Sequence, residues 1–256
     1  MNNKKILLLG GPGISTKIVF NSLNSRFGIH LAIIEGKDDR IFFLKRRIKK
    51  LGFFTVAGQV AFKLFVATPL NLFSQKRKNE IIKINRLNVS EIPDNKLQIV
   101  NLINSESTIQ KIREINPDLI IVNGTKIISQ KVLNSVPCKF INTHAGITPK
   151  YRGVHGTYWA LVNDDLENSG VTVHFVDAGI DTGSIIDQAQ VKPTPKDNFM
   201  TYPLLQLSSG INLLHKAVEN YFNNSIVTKE GSKESYLWYH PTLWQYLYYR
   251  VTKNVK

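Results

Sequence analysis

Lys5-Ile6-Leu7-Leu8-Leu9-Gly10-Gly11-Pro12-Gly13-Ile14-Ser15-Thr16 decides the fold. Lys5 to Gly10 reads as a strand buried on both faces, because its interior is apolar without alternation. Gly10-Gly11-Pro12-Gly13 turns the chain, and Ser15 or Thr16 is placed to cap a helix running to about Ser25. His30 to Glu35 reads as a second strand. Strand, turn, helix and strand in that order open a doubly wound parallel α/β sheet. The turn meets a helix N-terminus, where free N–H groups and the helix dipole attract anions. Gly11 and Gly13 are therefore candidate contacts to an anionic substrate, and a plain tight turn is the competing reading. The third glycine of a dinucleotide fingerprint is missing.

Moving outward, the alternation pauses and then resumes. Residues 37–95 form an insertion that is basic and amphipathic. Ile41, Phe42, Leu44, Ile48 and Leu51 share one helical face, with Lys45, Arg46, Lys49 and Lys50 beside them. That pattern suits an anchor lying on anionic lipid, or a face packed on the domain or on a second copy in a homodimer. Beyond it, Leu97 to Leu102 predicts a strand, Ser105 to Glu114 a helix, and Leu119 to Val122 a central strand ended by Gly124. Ser129 to Asn134 predicts a helix, Lys139 to Asn142 a strand and Gly156 to Val162 a helix. Gly170 to Phe175 and Ser184 to Val191 predict strands, and Asn198 to Phe222 a long helix. The expected organisation is a catalytic domain over 1–229 with a short aromatic appendage over 230–256, where Tyr and Trp suit half-wet surfaces.

Composition narrows the partners. With 256 residues and 43% hydrophobic content the chain is long enough for one well-packed domain. Its single cysteine, Cys138, excludes an internal disulfide framework and fits a reducing cytoplasm. The net charge of +14 favours anionic partners: nucleotides, phosphorylated substrates, tRNA or an acidic membrane surface. A cytoplasmic location is expected, with peripheral contact at the inner membrane surface as the alternative that the insertion raises. The longest apolar run, Phe53 to Phe73, is interrupted by Gln59, Lys63 and Pro69, which argues against a membrane span.

Two segments carry chemistry. Asn142-Thr143-His144 ends a strand, and residues i and i+2 of a strand point the same way. A carboxamide donor and an imidazole addressing one atom supply what acyl transfer needs, an oxyanion stabiliser and a proton carrier. By itself an Asn-x-His is common and more often structural. The second segment, Asp177-Ala178-Gly179-Ile180-Asp181-Thr182-Gly183, places two aspartates in a glycine-bearing loop after a strand. A calcium loop would need denser carboxylates and a closing glutamate, so no metal is assigned. A carboxylate that orients His144 or accepts a proton is the better reading.

Together these segments resemble the folate-dependent formyltransferases. The resemblance rests on Asn142-Thr143-His144, Pro149-Lys150-Tyr151-Arg152-Gly153, and Asp177 through Asp181-Thr182-Gly183, with Pro117-Asp118-Leu119-Ile120-Ile121 as the strand before the catalytic one. It covers about residues 115–190. It implies a Rossmann-like, mostly parallel sheet and 10-formyltetrahydrofolate as the co-substrate donor. By that resemblance Asn142 donates to the formyl oxygen, His144 stabilises the tetrahedral intermediate and moves protons, and Asp181 positions His144. Asp177, Ala178, Gly179 and Ile180 would hold the pterin, with Ile127 and Ile128 lining its other side. His174 would face Asp181 or the acceptor, and Arg152 would meet an anionic group or brace the loop. Ala145-Gly146-Ile147-Thr148-Pro149 departs from the family's usual sequence after the histidine but keeps the spacing to the proline.

The acceptor expected is a small anionic amine, best an amino sugar on a nucleotide carrier, with glycinamide ribonucleotide as the alternative. tRNA is disfavoured, because a tail of about 30 residues does not resemble the C-terminal domain of the tRNA-formylating members. A non-catalytic membrane-surface module that kept the fold would be expected to have lost one of Asn142, His144 and Asp181.

Overall fold

A computed structural model describes residues 4–36 and 40–256. Lys37, Asp38 and Asp39 of the insertion lie outside the described residues, as do the side chains of Ile41 and Phe42 that the sequence assigns to its apolar face. The chain opens with β1 (Ile6–Gly10), α1 (Ile14–Phe27) and β2 (Ile29–Glu35). The insertion follows as α2 (Arg40–Leu51), α3 (Phe53–Phe62), a π-helical turn (Lys63–Ala67), α4 (Thr68–Phe73) and α5 (Gln75–Ile84). The alternation resumes with β3 (Leu97–Val100), α6 (Glu106–Ile115), β4 (Leu119–Asn123), α7 (Gln130–Leu133) and β5 (Lys139–His144). After it come β6 (Arg152–Gly153), α8 (Gly156–Val162), β7 (Gly170–Phe175), β8 (Ile185–Gln190), α9 (Tyr202–Phe222), β9 (Leu237–Trp238) and α10 (Leu243–Thr252).

The main sheet of the described residues runs β3-β2-β1-β4-β5-β7-β8. Its pairings are parallel from β3 to β5 and antiparallel at β5–β7 and β7–β8. This is the mostly parallel, Rossmann-like α/β fold that the opening stretch and the resemblance predict. Every residue of β1 and β4 is buried. Alternate residues of β1 feed opposite layers: Ile6 and Leu8 pack with α1 and α9, and Leu7 and Leu9 pack with α6. That two-sided burial is why neither strand shows polar alternation.

From β1 the chain winds outward through β2 to β3, then returns to β4 on the other side of β1. The order reverses between β1 and β4, and ligands of open α/β sheets bind beyond the carboxyl ends of strands at such a point. There the Gly11 N–H donates to the Asn123 carbonyl at 3.0 Å. A Cβ on Gly11 would lie 2.1 Å from the Gly124 carbonyl oxygen. Gly11→Ala is therefore expected to cost about 1–3 kcal/mol by overpacking, read as a fall of several degrees in the thermal midpoint.

The turn differs from expectation in one detail. Gly13, not a hydroxyl residue, occupies the cap of α1, with no side-chain capping bond. The hydroxyls are used elsewhere. Thr16 Oγ1 donates to the Gly11 carbonyl at 2.7 Å, and Ser15 Oγ accepts from Asn123 Nδ2 at 3.2 Å. They tie the turn to β4 instead of closing the helix.

The insertion also departs from its sequence reading. Residues Phe53–Phe73 form one 21-residue helical run, long and apolar enough by length and composition to cross a membrane. Pro69 does not break it: it follows directly on the π turn Lys63–Ala67, where the i→i−4 ladder has already given way to wider bonds such as Thr68 N–H to the Lys63 carbonyl. The inner side of this run meets the tail. Gly58 of α3 lies against the Trp244 indole of α10. Phe62 joins Tyr151, Tyr158, Trp159, Phe199, Tyr202 and Tyr246 in a third, aromatic core. The fully buried Asp197 carboxylate receives Arg77 of α5 at 2.8 Å, which pins the insertion to the segment before α9.

Candidate active site

β5 delivers Asn142 and His144 to the carboxyl end of the sheet, as the strand reading predicts. β7 runs antiparallel beside it, and its register sets His174 directly opposite Asn142. The His174 Nδ1 lies 2.7 Å from the Phe175 carbonyl, so that nitrogen carries the proton. Nε2 is left to accept from Asn142 Nδ2 at 3.2 Å. The second N–H of the Asn142 carboxamide remains for a ligand. His174 therefore orients Asn142 from the buried side, and its Nε2 stands 3.7 Å from Asp181 Oδ1.

The loop after β7 brings Asp181 back over β5. Asp177 closes this loop on itself, its Oδ1 accepting the Gly179 N–H at 3.0 Å and the Thr182 hydroxyl at 2.7 Å. Asp181 sits at φ +52°, a left-handed conformation that a non-glycine residue adopts at a cost and that tends to mark functional positions. There its Oδ2 reaches His144 Nδ1 at 3.3 Å and accepts the Gly153 N–H at 3.0 Å. On the other side of the ring, His144 Nε2 donates to the Tyr151 carbonyl at 2.8 Å. Gly146 makes that approach feasible, since a Cβ there would stand 2.3 Å from the Tyr151 oxygen and 2.7 Å from Nε2.

The electrostatics follow from burial. Burial opposes charge on the Asp181 carboxyl, but His144 and the Gly153 N–H outweigh it and hold its pKa down at about 2. The carboxylate is thus ionised across the physiological range. Burial also dominates at His144 and pushes its pKa below the ordinary value, against the upward pull of Asp181 and the Tyr151 carbonyl. Both ring nitrogens face acceptors, so the site is arranged for the imidazolium while the resting ring favours the neutral form. That is a base which takes a proton only when one is offered, and then holds the cation between two oxygens.

These groups line a cavity of about 920 Å³. One wall is apolar, with Val122, Ile127, Ile128 and Val176 facing the loop Asp177, Gly179 and Ile180. Ile127 is half exposed and Ile128 buried. Arg152 does not face into the cavity; its place in the wall is taken by Gly153 and Val154. Its guanidinium instead donates to the Ile180 carbonyl at 3.1 Å and braces the loop. From the first turn it is Ser15, rather than Gly11 or Gly13, that reaches the cavity. Among the described residues no group of three or more His, Cys, Asp or Glu could hold a metal ion.

The far wall is one the sequence did not assign. Arg46, Arg47 and Lys50 of α2 line the cavity together with Trp238, Tyr239 and His240 of the tail. β9 of the tail pairs with β6 of the catalytic loop, which places Trp238 beside Gly153. Lys50 Nζ lies over the Tyr239 ring at 5.6 Å. The tail is thus built into the site.

The fold matches solved structures at low sequence identity. Phosphoribosylglycinamide formyltransferase from Anaplasma phagocytophilum superposes with a TM-score of 0.57 at 18% identity, covering 91% of this chain and 98% of that one. The N-formyltransferase from Helicobacter canadensis, solved with folinic acid and dTDP-3-aminofucose, gives 0.54 at 16% identity, covering 91% and 70%. In sequence, methionyl-tRNA formyltransferase of Clostridium beijerinckii is 32% identical over 142 residues, 54% of this chain and 45% of that one. The chain therefore spans less than half the length of that relative. The formyl transferase family model matches residues 68–204, from α4 of the insertion to the first turn of α9, a span that holds Asn142, His144 and Asp181, and the chain belongs to that family.

Proposed function

We propose that the chain is a 10-formyltetrahydrofolate-dependent N-formyltransferase acting on a small anionic amine, best an amino sugar on a nucleotide carrier. The observation that carries the reading is the meeting of the Asn142–His144–Asp181 cluster with a basic and aromatic wall in one cavity. The apolar slot between Ile128, Val122 and Val176 and the loop at Asp177 to Ile180 suits a flat heteroaromatic ring, and the folinic acid in the Helicobacter canadensis complex supports a folate as the donor. The folate supplies an activated formyl carbon on nitrogen. The acceptor amine forms a bond to that carbon, and the bond from carbon to the donor nitrogen breaks. Asn142 donates to the formyl oxygen as charge develops there. The proton lost by the amine passes to the His144–Asp181 pair, which returns it to the departing nitrogen.

Arg46, Arg47 and Lys50 match a phosphate or diphosphate, and the aromatic side chains of Trp238 and Tyr239 line the cavity beside them. The test is incubation with 10-formyltetrahydrofolate and a panel of dTDP- and UDP-linked amino sugars, glycinamide ribonucleotide and initiator methionyl-tRNA. Amino-sugar formylation, seen as the mass gain of one formyl group, is the expected result. Turnover of glycinamide ribonucleotide or tRNA alone would overturn the acceptor. Formate release without any acceptor would overturn transfer itself.

A further inference from the structure

The helical run Phe53–Phe73 is only 17% buried over its most apolar window, yet it is firmly attached on one side. Gln59 Nε2 donates to the His240 carbonyl at 2.8 Å while its oxygen accepts from Arg47 at 2.6 Å. Phe62 packs edge-on to Phe199 at 4.9 Å. A helix holding such contacts on one face cannot also be surrounded by lipid. The opposite face is unpartnered and strongly apolar. Phe54 is 80% exposed, Phe65 71% and Phe73 85%, with Phe53, Leu64 and Leu72 also outward at helical spacing. Surface patches of this kind mark interaction sites. Trp244, Leu247, Tyr248 and Val251 of α10, which packs beside α3, add further exposed apolar side chains.

Charge decides the occupant. From Arg40 to Asn79 the sequence holds ten Lys or Arg and no Asp or Glu. Lys45, Arg46, Lys49 and Lys50 of α2 are exposed, as are Lys63 and Lys76. A second copy of the same face would meet it with like charge, whereas an anionic lipid surface satisfies both the aromatic and the cationic groups. We propose that α3, the π turn and α4 form an interfacial anchor that lies on an anionic bilayer with Phe54, Phe65 and Phe73 inserted. Because Arg46, Arg47 and Lys50 of α2 also wall the cavity, the anchor sets the acceptor side of the site next to the membrane.

Flotation of the full-length protein tests this. The protein is expected to float with phosphatidylglycerol vesicles, not with pure phosphatidylcholine, and less so as salt is raised. Phe54→Glu/Phe65→Glu/Phe73→Glu should cut the bound fraction at least tenfold, and Lys45→Glu/Lys49→Glu should cut it separately, both with an unchanged thermal midpoint. No flotation of the intact protein, or equal flotation of the phenylalanine variant, overturns the proposal. So does light scattering that finds a dimer which the phenylalanine variant converts to a monomer. Retention in the membrane after alkaline carbonate extraction would make the helix a span and overturn it as well.

Discussion

His144→Ala is expected to lower the rate of formyl transfer by about 10³-fold while leaving the thermal midpoint close to that of the parent. The ring is buried between two acceptors, the Asp181 carboxylate and the Tyr151 carbonyl, which are placed to hold the imidazolium once a proton arrives. Asp181 cannot replace it, because a carboxyl held near a pKa of about 2 is too weak a base. Asp181→Asn should also be slow, by about 10²-fold, for a different reason. It keeps the shape but removes the charge that stabilises the imidazolium. The two variants separate in their pH profiles. The rate of the parent should fall on the acid side, below the ordinary imidazole range, as His144 becomes protonated before the amine arrives. Removing the Asp181 charge removes an upward pull on the His144 pKa, so that acid limb should move to lower pH. In His144→Ala the limb should vanish. Single-turnover rates across the acid and neutral range measure all three, and more than a tenth of parental activity in His144→Ala would refute the assignment.

Much of this cluster was legible because it obeys local rules. Asn142 and His144 share a direction by strand geometry alone, and β1 and β4 announced a two-sided sheet by their unbroken apolar runs. What the sequence hid is what depends on backbone groups or on distant chain. The acceptor for His144 Nε2 is a carbonyl, that of Tyr151, which leaves no trace in side-chain identity. Asp181 reaches His144 through a left-handed backbone that sequence would assign to glycine or asparagine. Ser15 and Thr16 look like helix caps by position, yet their hydroxyls serve β4 and the turn, contacts between segments about a hundred residues apart. The far wall is the largest such case. The insertion and the tail each stand out by composition, but contacts such as the bond from Gln59 to the His240 carbonyl, across 181 residues, and Gly58 against Trp244 are what bring them together.

That wall carries the second large effect. Arg46→Ala/Lys50→Ala is expected to raise the KM for a phosphorylated acceptor roughly 30- to 150-fold, with kcat changed little. Charge-assisted hydrogen bonds contribute about 1.5–3 kcal/mol each when formed. Both side chains are largely exposed, so screening reduces the pair to about 2–3 kcal/mol, which is the stated change in KM. Arg47 is left in place in this variant because it also bonds to Gln59, and its loss would disturb the join between insertion and tail. The effect should fall on KM because the phosphate lies away from the reacting carbon and is held equally in the ground and transition states. It should shrink as salt rises, since added ions already weaken the parent's contacts. The KM for the folate should not move, because the slot proposed for it is formed by Ile128, Val176 and the loop at Asp177, none of which belongs to α2. A rise in the folate KM instead would mean that the two substrates occupy the cavity in the opposite sense. An unchanged acceptor KM would mean that the acceptor carries no anionic group at this wall, and that the basic residues of α2 serve the lipid surface alone.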